Sequence, residues 1–343
     1  MLDPTVTNLE ENGVAELAET VQEGMGVVRE ARRRDFAVRA IGDRIFNLVT
    51  ALLALVTLAL LFGFTCALVA ESMPSIRQFG LTFLVSSDWD PTNDQYGALA
   101  FIYGTAVSSG LALLIAVPLS LGVGLCLTET APEWLSRKLG FLVELLAAIP
   151  SVVYGLWGVF VMGPWLRDHL EPVLGKYLGF LPLFQGPRVS VGMLSAGVVL
   201  AIMVLPYIAA VCTDVFRVVP QTQREAALAL GATKWEMVRT AVLPFGTSGI
   251  IGAIILGLGR ALGETIAVAM VIGNRPAISA SLFMPATTLA SVIANEFVEA
   301  TSALNVSALI ELALVLLVLG LILNVAARML VLGVTQRRFH GTK

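Results

Sequence analysis

Between Ile45 and Ala70 this chain carries no charged side chain, and that run is the first of several. As a helix rising 1.5 Å per residue it would measure about 39 Å, ample for a hydrocarbon core of roughly 30 Å. Of the 343 residues, 57% are hydrophobic and only 14% are charged. One soluble core of this length cannot hide so much apolar surface, so the solvent is a membrane.

The second run, Gln95 to Thr128, is also free of charge. Pro118 should kink it, and Gly104, Gly110, Gly122 and Gly124 should allow close packing. A third span is expected over Leu139 to Leu166, with Glu144 near one end and Pro150 inside, and a fourth over Val189 to Thr213, kinked at Pro206. The fifth, Phe245 to Gly273, has Arg260 and Glu264 near its middle, and the sixth, Val306 to Leu332, has Glu311 near its start. The expectation is an all-α, polytopic membrane protein with six transmembrane helices. Residues 1–44 form a polar head, 45–335 the transmembrane domain and 336–343 a tail.

Lysine and arginine positions orient these spans. With six crossings, one side holds Arg29, Arg32, Arg33, Arg34, Arg39 and Arg44 of the head, Arg137 and Lys138, then Arg217, Arg224, Lys234 and Arg239, and finally Arg328, Arg337, Arg338 and Lys343. The other side has only Arg77, Arg167, Lys176, Arg188 and Arg275. This imbalance places both termini in the cytoplasm of a cell that keeps the chain in its cytoplasmic membrane, surrounded by lipid. The head carries Val14, Leu17, Val21, Met25 and Val28 at helical spacing, which predicts a short amphipathic helix. An interfacial role for it is weighed against a basic flank that sets topology, and the flank is preferred. Nothing in the head reads as a cleavable signal, so the first apolar run should be an uncleaved anchor.

Other chemistry is sparse. The net charge of −3 and the lack of a basic, aromatic-interleaved patch speak against nucleic acid as a partner. Cys66, Cys126 and Cys212 lie singly inside apolar runs and read as small buried hydrophobes, not as a metal or redox site. His169 and His340 stand far apart, without ligand-like companions.

The loop from Asp214 to Ala241 is different. Helix formers fill Gln223 to Leu230, Gly231 is a natural helix stop, and a second amphipathic stretch leads into the fifth span. Its Glu225-Ala226-Ala227, then Gly231, then Leu243-Pro244 resemble the EAA loop of ABC-importer permeases, except that Ala241 stands where isoleucine is usual. The resemblance implies a type I ABC importer permease fold, in which the helix around Glu225, Ala226 and Ala227, closed by Gly231, docks on an ATPase subunit. The chain has no G-x-x-x-x-G-K-[ST] phosphate loop, so no cofactor is expected in it, and ATP and magnesium would sit on the partner ATPase. It is expected not to be an enzyme itself.

Arg260 and Glu264 are four residues apart, which on a continuous helix puts them on one face and within reach of each other. Gly259 and Gly263 fall on a neighbouring face at the spacing of a small-xxx-small contact. A mid-membrane arginine costs about 2.5–3.5 kcal/mol to insert, part of which a paired glutamate would offset. The reading weighed more heavily is an oxyanion path, against a structural pair that pins two helices. Arg275 lies at the outer end of the span, as a funnel or a solvated helix end, with the latter preferred, and 284–299 is expected as a short outer helix where a binding protein would dock.

The stretch Gly259 to Thr265, together with Ile149-Pro150-Ser151-Val152-Val153-Tyr154-Gly155, Trp89-Asp90-Pro91, Tyr96-Gly97 and Ile102-Tyr103-Gly104-Thr105, resembles the phosphate-specific transport (Pst) permeases, in particular their PstC branch. That resemblance implies phosphate as the cargo and Arg260, Glu264 and Arg275 along its path. It also implies a related PstA-type permease, an ATPase dimer and an extracytoplasmic phosphate-binding protein as partners. Sulfate or another oxyanion is the alternative within the class, and an ATP-independent secondary transporter or channel the alternative outside it.

Overall fold

The computed structural model of the protein describes residues 43–340, and no side chain of residue 327 or of residues 330–340. The amphipathic helix expected in the polar head lies outside the described residues. The chain falls into two bodies divided between Ala67 and Leu68. The described residues up to Ala67 form one helical stretch, the first part of α1 (Asp43–Phe79). Leu48, Leu52, Leu58 and Phe62 on it are exposed. Thr50, Thr57 and Thr65 each donate their hydroxyl to the carbonyl four residues back. A hydroxyl satisfied inside its own helix leaves no unpaired donor on a surface meant for lipid.

From Leu68 onward the elements are α2 (Leu99–Thr130), α3 (Glu133–Ala147), α4 (Ser151–Leu178), α5 (Met193–Val218), α6 (Gln221–Ala229), α7 (Lys234–Leu262), α8 (Ile266–Val271), α9 (Leu289–Glu296) and α10 (Ala303–His340). α1, α2, α5, α7 and residues Ala303–Ala326 of α10 are each long and apolar enough to cross a membrane. The last helix runs on to His340, past the boundary drawn at 335.

The core forms around α5, whose sequence is apolar nearly all round and so packs on every side. Val199, Leu200, Met203, Val204, Ile208, Cys212 and Phe216 of α5 are fully or almost fully buried. α2 and α7 lie against it. Ser120 of α2 donates across to the carbonyl of Leu205, beside Pro206, at 2.9 Å. α7 packs on α5 at Gly249 and Gly257, where a Cβ would stand 2.4 Å from Val215 Cγ2 and 2.6 Å from Ile208 Cδ1. A second cluster is separate from it: Phe83, Tyr96, Phe101, Leu289, Val292, Leu309 and Leu312 are all buried.

Several sequence expectations change here. The third span is not continuous: α3 and α4 meet at 89° across Ala148–Pro150, so together they make one broken span or a re-entrant pair. Pro150 accounts for the stop, because its ring disfavours a helical residue before it. The fifth span begins earlier, at Lys234, and breaks at Gly263–Thr265. Gly259 and Gly263, expected to pack on a neighbouring helix, face no other element of the described chain, and Gly257 makes that contact instead. On α2, Gly104 and Gly124 meet neighbours, but Gly110 and Gly122 meet none. Only Cys212 is buried; Cys66 and Cys126 are exposed, because they fall on outward faces of their helices. The outer helix exists as α9, but Leu289, Ala290, Ser291 and Val292 are buried and only its far end reaches the surface.

Candidate functional site: an arginine at a helix end and a capped loop helix

Arg260 lies in the last turn of α7. Cations are favoured there, since the helix C-terminus carries a partial negative charge. Its guanidinium stands over the ring of Tyr207, 4.2 Å from the centroid, and its Nε is buried with no acceptor among the described residues. A guanidinium held over a ring by cation–π attraction does not spend its N–H donors on that contact, and free donors can take an oxyanion edge-on.

The predicted Arg260–Glu264 pair does not form. No ion pair joins the two among the described residues, and the helix ends between them. The i, i+4 argument needs continuous helix, and Gly263 removes it. Glu264 turns to the next segment, where its Oε1 accepts a long bond of 3.4 Å from the N–H of Ala267. The arginine is thus steadied by Tyr207 and the end of α7, not by the glutamate. Arg275 is exposed beyond α8, its N–H bonded to the carbonyl of Ala286 at 3.2 Å. The structure therefore puts Arg260 at the end of α7, Glu264 within the break that follows it and Arg275 on the exposed loop beyond α8.

Tyr207 was not singled out from the sequence, although an aromatic hydroxyl beside Pro206 in an apolar span was a usable signal. Its own hydroxyl donates to the carbonyl of Ala147 at 2.7 Å, and Tyr154 donates to Leu146 at 2.9 Å. Both acceptors lie at the end of α3.

At the other end of α7 the loop takes the shape its residues dictate. α6 stops in a Schellman turn: Gly231 has φ +84°, its N–H reaches the carbonyl of Leu228 at 2.9 Å, and that of Ala232 reaches Ala227 at 3.2 Å. Thr233 and Glu236 then cap the start of α7 reciprocally. Glu225 and Ala226 are exposed and Ala227 is half-buried. Leu228, Leu230 and Trp235 stand out beside them, Leu230 with 90% exposure.

Arg224, read from the sequence only as a positive charge, anchors this helix. Its Nη2 lies 2.8 Å from Glu129 Oε1 at the end of α2, with both side chains about nine-tenths buried (11% and 9% exposed). The same guanidinium donates to the carbonyls of Phe216 and Val219 at the end of α5. One side chain joins α6 to two spans.

The family described as binding-protein-dependent transport system inner membrane component matches residues 116–336. The phosphate transport system permease protein PstC of Mesorhizobium japonicum is 43% identical over 321 residues, covering 92% of this chain and 98% of that protein. Its namesake from Haemophilus influenzae is 46% identical over 300 residues, covering 86% and 95%. A solved inward-facing structure of the MetNI methionine ABC transporter aligns with a TM-score of 0.51 at 20% identity, over 68% of this chain and 94% of that one, a likeness of fold alone. The fold is that of a type I ABC importer permease, all-α and polytopic. On these matches, the chain belongs to the binding-protein-dependent transport system inner membrane components, and within them to the PstC branch.

Proposed function

We propose that this protein is a permease subunit of an ATP-driven importer of inorganic phosphate, contributing half of the translocation path. The observation that carries the cargo class is Arg260: a guanidinium in the last turn of α7, over the ring of Tyr207, with a buried Nε–H that no described residue accepts. A buried charged donor left unpaired is costly, so an anion arriving edge-on is favoured there. Glu264, within the break, supplies negative charge on the same path and keeps the attraction moderate, since transport needs release as well as capture. Arg275 at the exposed outer loop draws anions toward the mouth. The PstC names of the relatives make phosphate the first candidate among tetrahedral oxyanions.

α6 is the proposed coupling helix. It presents Glu225, Ala226 and the apolar ridge of Leu228, Leu230 and Trp235 to an ATPase subunit, which carries the ATP and magnesium. A PstA-type second permease, an ATPase dimer and an extracytoplasmic phosphate-binding protein complete the assembly. The chain does no bond chemistry of its own, and both termini face the cytoplasm.

ATP-dependent uptake of radiolabelled phosphate into proteoliposomes holding the whole complex tests this reading, with sulfate as competitor. Uptake that requires ATP and ignores excess sulfate is expected. Competition by sulfate would widen the cargo to other oxyanions, and uptake without ATP would overturn the importer reading.

Gly231 offers a second test. A Cβ there meets nothing, so the penalty of a substitution is the left-handed backbone itself, about 1–2 kcal/mol for an ordinary residue. Gly231→Val should open the Schellman turn and lower ATPase recovery on co-purification, whereas Gly231→Asn, which tolerates this conformation, should keep most of it. Full recovery with valine would separate the turn from docking.

A further inference from the structure

The 89° break between α3 and α4 strands carbonyls that a continuous helix would satisfy. The N–H of Ala148 takes the carbonyl of Leu145, and that of Ile149 takes Leu146. The carbonyl of Ala147 accepts the hydroxyl of Tyr207, which comes from α5, 60 positions along the chain. In hydrocarbon no water can replace that donor. The opposite use of the same side chain is its ring face, which carries the guanidinium of Arg260 from α7. Tyr207 thus touches the bend with one end and the arginine with its face, and it follows Pro206 directly in α5.

Resting on the reading of Arg260 as the anion-binding group, we propose that Tyr207 is the positioning residue of the anion site, setting the plane of the Arg260 guanidinium and tying that plane to the bend between α3 and α4. The hydroxyl bond limits how the ring can tilt, and the stack makes the guanidinium follow the ring. A change in the angle between α3 and α4 therefore changes how the N–H edge is presented. That difference is what allows an anion to bind one state of the pore better than another.

The two contacts separate by substitution. Tyr207→Phe keeps the ring and deletes the bond to Ala147; Tyr207→Leu deletes both. Phosphate uptake would be measured with the full complex in proteoliposomes, as KM and maximal rate, alongside the yield of assembled complex. Tyr207→Phe is expected to hold KM near wild type and to lower the maximal rate about tenfold, because the bend and the arginine no longer move together. Tyr207→Leu should in addition raise KM about tenfold, the scale of one desolvated cation–π contact. A wild-type KM for Tyr207→Leu in assembled complex overturns the proposal, as does a wild-type maximal rate for Tyr207→Phe. A purely structural tyrosine would lower only the yield, with KM unchanged in the complex that remains. Failure of the functional reading is distinct, because the wild-type complex would then take up no phosphate before any variant is compared.

Discussion

Arg260→Ala is expected to lower phosphate uptake at least about a hundredfold while the complex still assembles. The size follows from the chemistry: hydrogen bonds to a charged group contribute about 1.5–3 kcal/mol each, and an edge-on guanidinium offers two. At about 1.4 kcal/mol per factor of ten, losing both removes two or more orders of magnitude. Assembly should survive because Arg260 makes no ion pair in the described chain and its Nε has no acceptor there, so removing it strands no partner. Arg260→Lys keeps the charge but loses the planar fork and the stack on Tyr207, and it should fall between alanine and wild type. Unchanged uptake by Arg260→Ala would reduce the residue to packing against Tyr207. Loss of the assembled complex would make it a structural element instead.

The second large effect belongs to the clamp of Arg224 on Glu129. Breaking a buried pair by deleting one partner costs about 3–5 kcal/mol, because the other charge is left buried without compensation. Arg224→Ala strands Glu129 and also frees the carbonyls of Phe216 and Val219, so α6 loses its ties to α2 and α5 together. The exposed ridge of α6 does not depend on these bonds, and docking on the ATPase should persist. The expected outcome is uncoupling: hydrolysis continues, and the ATP consumed per phosphate imported rises about tenfold, within the energy of the lost pair. The ratio of hydrolysis to uptake in proteoliposomes reads this directly. A proportional fall of both activities would place Arg224 in docking, and an unchanged ratio would remove the clamp from the transmission path.

Glu296 makes a contrasting case at the outer surface. Burial raises its carboxyl above the usual range, while the indole N–H of Trp89, 2.8 Å away, favours the ionised form. This bond joins the loop before α2 to the end of α9, and neither residue was paired from the sequence.

Which features were legible follows the range of the forces involved. The apolar runs could be read because exclusion of charge from hydrocarbon acts on every residue of a span, wherever its neighbours are. The turn at Gly231 could be read because a left-handed backbone position selects glycine locally. The sequence puts Pro150 inside the third span, whereas the chain breaks there at 89°; proline chemistry carries no angle. The expected Arg260–Glu264 pair failed because periodicity presumes an unbroken helix, and the glycine at 263 ends it.

The sequence by itself therefore determined the membrane, the presence of the long apolar helices and the glycine turn at 231, and it singled out Arg260 as a cation inside an apolar run. Only the tertiary structure decided which groups those charges meet: Tyr207 under Arg260, Glu129 against Arg224, and the bend of α3 on α4 tied by two tyrosine hydroxyls. The physical reason is that hydropathy and backbone preference act within a few residues of chain. A stack or an ion pair between α5 and α7, or between α2 and α6, is set by how the helices pack around α5.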